Sequence, residues 1–201
     1  QAIDRVCNKQ RELLGIGVSI PGSINKQTGI LKKYKWLPNI TNLELGRLLK
    51  SNLSAPASFE NTANLMALGE MKFGSEKKTA NFISVTIRSG IGCALVINNQ
   101  IVAGENNLCG EIEYWKCPGG EKDGKLPELG ELVSSSAIMA KIALALESGE
   151  QSTLNKKFDI QDVINAFREG DCLSRRIVEE SIPLLAWALG QMSLMLAPQK
   201  I

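Results

Sequence analysis

Residues 82–104 fit one local fold, a three-stranded antiparallel meander. Phe82-Ile83-Ser84-Val85-Thr86-Ile87 and Cys93-Ala94-Leu95-Val96-Ile97 are rich in β-branched and apolar residues, and turn-forming residues bound them. Ser89-Gly90-Ile91-Gly92 lies between them. Asn98-Asn99 then supplies a tight turn into Gln100-Ile101-Val102-Ala103-Gly104.

Around this meander the pattern alternates strand and helix. Leu13–Ile20 is a short apolar run ended by Pro21-Gly22, the signature of a buried strand entering a tight turn. Thr41-Asn42-Leu43-Glu44 has capping-box spacing ahead of Leu45, Leu48 and Leu49, which predicts a helix starting there and ending near Asn52. Ala57-Ser58-Phe59 reads as a strand and Thr62–Phe73 as a helix stopped by Gly74, so Glu60-Asn61-Thr62 falls at a strand-to-helix junction. From Cys109 to Glu131 the chain is rich in glycine, proline and charge without periodicity, an irregular excursion. Helices are expected over Ser134–Glu147, Asp159–Glu169 and Asp171–Leu196, the last kinked at Pro183, and Pro198-Gln199-Lys200-Ile201 approaches a further strand.

Composition narrows the chemistry. The chain has 201 residues, 44% hydrophobic and 22% charged, a globular profile with no disordered or coiled-coil signature. Its 23 basic and 21 acidic residues leave a net charge of +2, and doublets such as Lys32-Lys33 never form a basic stripe, so DNA binding would need a segment outside this chain. Five cysteines without CxC or CxxC spacing indicate a reduced, cytoplasmic protein. Histidine is absent, which excludes a His-centred triad, an HExxH zinc site and any imidazole proton shuttle. The most apolar stretch, Ile182–Pro198, is too short for a comfortable membrane span, and no secretion signal opens the chain.

Four segments could carry chemistry. Ser89, Gly90 and Gly92 could present backbone N–H groups to a phosphate, or simply form a glycine-rich hairpin turn. Glu60-Asn61-Thr62 could be a site or a helix cap. Glu111 could reach a ligand or lie in solvent, and Trp36 and Trp115 could stack on a sugar or pack.

In this order and spacing the motifs resemble the ROK family of repressors, open reading frames and sugar kinases. Gly15-Ile16-Gly17-Val18-Ser19-Ile20-Pro21-Gly22 resembles the family's first-lobe strand and turn, and Leu37-Pro38-Asn39 its Pro-Asn element. Its Glu-Asn-Asp-Ala-Asn and Ala-Leu-Gly-Glu stretches appear as Glu60-Asn61-Thr62-Ala63-Asn64 and Ala67-Leu68-Gly69-Glu70. The phosphate turn Gly-Thr-Gly-Ile-Gly appears as Arg88-Ser89-Gly90-Ile91-Gly92, and Ala-Gly-Glu-Ile-Gly-His as Cys109-Gly110-Glu111-Ile112-Glu113-Tyr114. The resemblance implies an α/β, two-lobed actin-like ATPase (ribonuclease H-like) fold, incomplete at both ends, with residues 1–76 in the N-terminal lobe and 77–201 in the C-terminal lobe. A sugar would lie between the lobes. Asn61 and Glu111 stand at ligand positions, Asn39 and Gly22 are neighbours, and Glu131 matches the second family glutamate.

The departures shape the expected activity. In the kinases the residue after the asparagine is the aspartate that deprotonates the sugar hydroxyl; here it is Thr62, and a threonine hydroxyl is no base near neutral pH. Tyr114 replaces the family histidine, and the zinc motif is reduced to Cys117-Pro118-Gly119-Gly120, so no metal and no cofactor are expected. This profile resembles the NagC/XylR-type sugar-responsive transcriptional regulators. It implies the sugar-sensing and dimerisation region of a repressor, a homodimer or homotetramer that reaches DNA through a helix-turn-helix elsewhere, with no membrane partner. The alternatives are an ATP-dependent, glucokinase-like kinase acting on a hexose or N-acetylhexosamine with Glu60 or Glu111 as base, and a structural pseudo-kinase.

Overall fold

Two parallel strands set the first layer: β1 (Ile16–Ile20) lies beside β5 (Ala57–Asn61), with Ile20 paired to Asn61 at their carboxyl ends. The computed structural model describes residues 14–33, 39, 41–52, 55–105, 107–118 and 124–201. Between β1 and β5 the chain makes an antiparallel sheet of β2 (Ser23–Asn25), β3 (Ile30–Lys33) and β4 (Thr41–Glu44), followed by helix α1 (Leu45–Asn52). Ile20, Ile24, Leu31 and Phe59 close the core between these sheets.

The expected helix start at Thr41 is corrected. Thr41, Leu43 and Glu44 pair with Lys33, Leu31 and Ile30, so the capping-box residues form a strand and the helix begins at Leu45. A packed partner strand outweighs a local capping preference.

β5 runs directly into α2 (Thr62–Lys72), whose Ala63 and Ala67 are buried against the meander of β6 (Phe82–Ile87), β7 (Ile91–Ile97) and β8 (Gln100–Ile101). The small faces match: a Cβ on Gly92 would stand 3.1 Å from that of Ala63. Asn98 and Asn99 take φ of 52° and 61°, the left-handed pair that a two-residue hairpin turn requires. The meander therefore forms where its sequence predicts, with the third strand confined to Gln100–Ile101 instead of running on to Gly104.

α3 (Leu129–Val133) and α6 (Cys172–Leu196), the latter continuing on both sides of Pro183, share a core with β6–β7 through Ile83, Cys93, Leu129, Val133, Ala188 and Met192, while α4 (Ser135–Glu147) and α5 (Ile160–Glu169) pack on α6 through Ile138, Ile142, Val163, Leu173 and Ile177. Leu129 and Ile142 are fully buried, each contributing about 1.5–3 kcal/mol relative to exposure. Lys200 bridges to Phe82 in parallel, and the Ile83 N–H donates to the Lys200 carbonyl at 3.0 Å, so the C-terminal segment reaches a sheet as expected. Among the described residues no helix is long and apolar enough to cross a membrane.

Candidate ligand cleft

The carboxyl ends of β1 and β5 open side by side, the place where parallel strands present ligands to loops and helix starts. Pro21-Gly22 turns away from β1, with Gly22 at φ 126°, a conformation that favours glycine. Asn61 ends β5 and caps α2: its Oδ1 accepts the Ala63 N–H at 2.7 Å. That bond fixes the amide, and its Nδ2 donates to the Gly22 carbonyl at 3.2 Å and to Glu111 Oε1 at 3.3 Å. One side chain thus joins three elements.

The facing wall is the β6–β7 turn. The Arg88 N–H donates to the Gly90 carbonyl at 2.8 Å, while the start of α4 holds the turn from behind through Ser135 N–H to the Arg88 carbonyl (2.8 Å) and Ser136 Oγ to the Ser89 carbonyl (2.7 Å). Glu111 arrives from a loop pressed onto β7. Gly110, at φ 88°, leaves no room for a side chain because its Cβ would collide with the Cys93 carbonyl. A single 3₁₀ turn over Ile112–Tyr114 then brings Glu113 and Tyr114 to the wall. The cleft encloses about 260 Å³ between Gly22, Asn61, Thr62, Arg88–Cys93, Glu111, Glu113 and Tyr114, near the lower end for small-ligand clefts.

Two carboxylates, Glu111 and Glu113, and one guanidinium, Arg88, line the cleft. Burial pushes the Glu111 carboxyl above its ordinary range, and the neighbouring Glu113 charge pushes it further. Tyr114 is raised by burial and then by Glu113, Glu111 and Glu128. Thr62 lines the cleft with its hydroxyl 2.9 Å from that of Ser19. Glu60 turns elsewhere: it pairs with Lys26 at 2.6 Å and accepts from Asn64 Nδ2 at 3.0 Å.

The structure brings together Gly22, Asn61, Ser89, Gly90, Gly92 and Glu111. It does not bring Glu131 or Asn39 to the cleft wall. The Glu131 carboxylate accepts the Glu128 N–H at 2.9 Å in a capping box on α3, and Asn39 is an exposed turn residue. Trp115 packs edge-on against Trp187 of α6, ring centroids 6.2 Å apart, and is not among the residues that line the cleft. Trp36, Leu37-Pro38 and Gly119-Gly120 lie outside the described residues. Sequence reasoning passed over Glu113, whose only signal was the departure from glycine after Ile112. The buried Cys93 thiol is pushed up to about 12 by desolvation, and Cys117 is raised for the same reason. Among the described residues no group of three His, Cys, Asp or Glu side chains could hold a metal ion.

The ROK family model matches residues 1–201. The chain belongs to the ROK family. It is 31% identical to the xylose repressor of Bacillus subtilis over 76% of this chain and 38% of the repressor. It is 28% identical to a glucokinase of Halalkalibacterium halodurans over 94% of this chain and 60% of that enzyme. A ROK family transcriptional regulator, a homologue of the Escherichia coli MLC protein, superposes with a TM-score of 0.82 at 25% identity, covering 94% of this chain and 48% of the regulator. The chain thus spans between about two fifths and three fifths of these relatives. The fold is the actin-like ATPase fold read from the motifs, and the family contains both repressors and sugar kinases.

Proposed function

We propose that this chain is the sugar-sensing and dimerisation region of a ROK-family transcriptional regulator that has lost kinase activity. One observation carries the reading: Asn61 and Glu111 face a common cleft, while the adjacent Thr62 presents a hydroxyl bonded to Ser19 where a proton-abstracting carboxylate would be needed. An amide and a carboxylate fixed in this way pair with sugar hydroxyls as donor and acceptor. Residues 1–76 and 77–201 belong to two lobes, and sugar binding favours the closed arrangement. Closure shifts a cytoplasmic homodimer or homotetramer between states of different affinity for DNA, which a helix-turn-helix outside this chain contacts. The repressor relatives support this reading.

A kinase is the second reading, favoured by Glu111, a cleft carboxylate of raised proton affinity as a general base requires. Glu60 is a poor substitute because Lys26 and Asn64 hold it. Calorimetric titration of the full-length protein with pentoses, hexoses and N-acetylhexosamines, with and without magnesium ATP, separates the two. The expected result is saturable binding of one sugar, loss of at least about tenfold in affinity with Asn61→Ala, and no phosphorylated product. Turnover of ATP would return the chain to the kinases.

A further inference from the structure

Two glycines far apart in the chain, Gly90 on the β6–β7 turn and Gly130 in α3, lack side chains for one shared reason. A Cβ on Gly90 would stand 2.8 Å from Glu113 Oε2 and 3.0 Å from Oε1, and a Cβ on Gly130 would stand 2.5 Å from Glu113 Cγ. Neither glycine has positive φ among the described residues, so backbone conformation does not demand them. Both clear a channel for the Glu113 side chain, which passes between them and lays its carboxylate over Gly90.

That location is chemically specific. Ser89-Gly90-Ile91-Gly92 lines the cleft that Asn61 and Glu111 share, and a glycine turn of this kind admits an anion only where no side chain covers its backbone. Here the chain supplies its own anion at that point. A phosphate entering the cleft would meet the Glu113 carboxylate across Gly90, and like charges that close in a partly buried site repel; Arg88 also lines the cleft, but the atoms nearest the Gly90 Cβ position are those of the Glu113 carboxyl. A neutral hydroxyl meets no such repulsion and can donate to either carboxylate.

We propose that Glu113 is a specificity-determining residue that excludes phosphate, whether carried by a sugar or by a nucleotide, so that the ligand of this cleft is a sugar without a phosphate group. The choice of a free sugar rests on the sugar-binding reading above; the exclusion of phosphate by Glu113 does not.

The test uses the full-length protein and its Glu113→Gln variant, which keeps the shape of the side chain and removes its charge. Each sugar of the panel is titrated beside its terminal phosphate ester, with inorganic pyrophosphate as a sugar-free probe. The expected result is that the affinity of the ester relative to the free sugar rises at least about tenfold in Glu113→Gln, and that pyrophosphate binding becomes measurable only in the variant. An unchanged ratio with no gain for pyrophosphate, or a wild-type protein that binds the ester as tightly as the free sugar, overturns the proposal. Where neither protein binds any sugar or ester, the sugar-binding reading falls and pyrophosphate alone decides: a gain in the variant upholds exclusion by Glu113, no gain refutes it. Should Glu113→Gln not fold, Glu113→Gly, which restores the residue of the family pattern, is held to the same comparisons.

Discussion

Glu111 shows how burying a single carboxyl costs stability. Burial first, and then the Glu113 charge, raise its carboxyl above the ordinary 4.5. The folded state therefore holds this proton more tightly than the unfolded chain does. As pH rises through the ordinary value the unfolded chain ionises first, and stability falls until the folded group ionises as well. Glu111→Gln removes that penalty. The variant is expected to gain about 1 kcal/mol at neutral pH, the usual size of such a relief, while sugar affinity drops. Urea denaturation below and well above the carboxylate range checks the sign: the gap between variant and wild type opens as pH rises, and a pH-independent gap would refute the assignment. Asn61, Gly22 and Glu111 were legible in the sequence because cap, turn and loop each fix their residue locally. Glu131 lies away from the cleft lining because a capping box on α3 uses its carboxylate, a local role that a loose motif match does not reveal. Glu113 escaped because its position depends on Gly90 and Gly130, which only the fold brings together.

At the scale of elements, ends decide more than interiors. Asp171 caps α6, accepting the Ser174 N–H at 2.8 Å, and also takes the Thr153 N–H at 2.8 Å and the Ser152 hydroxyl at 2.9 Å. Burial alone would raise its carboxyl, but these bonds outweigh it and hold the group at about 2. Asp171→Ala leaves buried donors unpaired as well as an uncapped helix, and is expected to cost about 2 kcal/mol in urea denaturation of the full-length protein. Asp171→Asn, which retains a capping oxygen, should recover a good part of that loss; equal losses for both variants would mean that the cap is not the cause. Asp159, Gly149 and Gly170 mark helix ends in the sequence as they do in the fold. Thr41–Glu44 did not, since strand pairing with β3 is a non-local contact. The irregular excursion was likewise opaque. Its described parts are held by the Trp115–Trp187 contact, the Lys116–Glu128 ion pair at 2.9 Å and the Leu129 N–H to Trp115 carbonyl bond at 2.8 Å, each joining residues with no shared local pattern.

Across the molecule, the chain's order and its packing interleave. The cleft draws one wall from β1, β5 and α2 and the other from the meander and the loop after it, while the segment at Lys200 returns to β6 beside the linker that follows α2. Glu76 joins these distant parts. It is a buried carboxylate that accepts from Lys200 Nζ and from Ser75 Oγ, and these bonds hold it at about 2, well below its ordinary 4.5. Because the folded group loses its proton more readily than the unfolded one, its contribution is present in full above about pH 4.5 and disappears as pH falls toward 2. In full-length protein, Glu76→Gln should therefore be less stable than wild type at neutral pH, and the difference should shrink steadily through that acid window. Asp171 titrates over the same range, so the comparison is made in the Asp171→Asn background too, where the Glu76 difference should persist. If the wild-type and Glu76→Gln curves ran parallel from neutral pH down to 2, the Lys200 contact would contribute nothing, and the pairing of the C-terminal segment with β6 would rest on its backbone bonds alone.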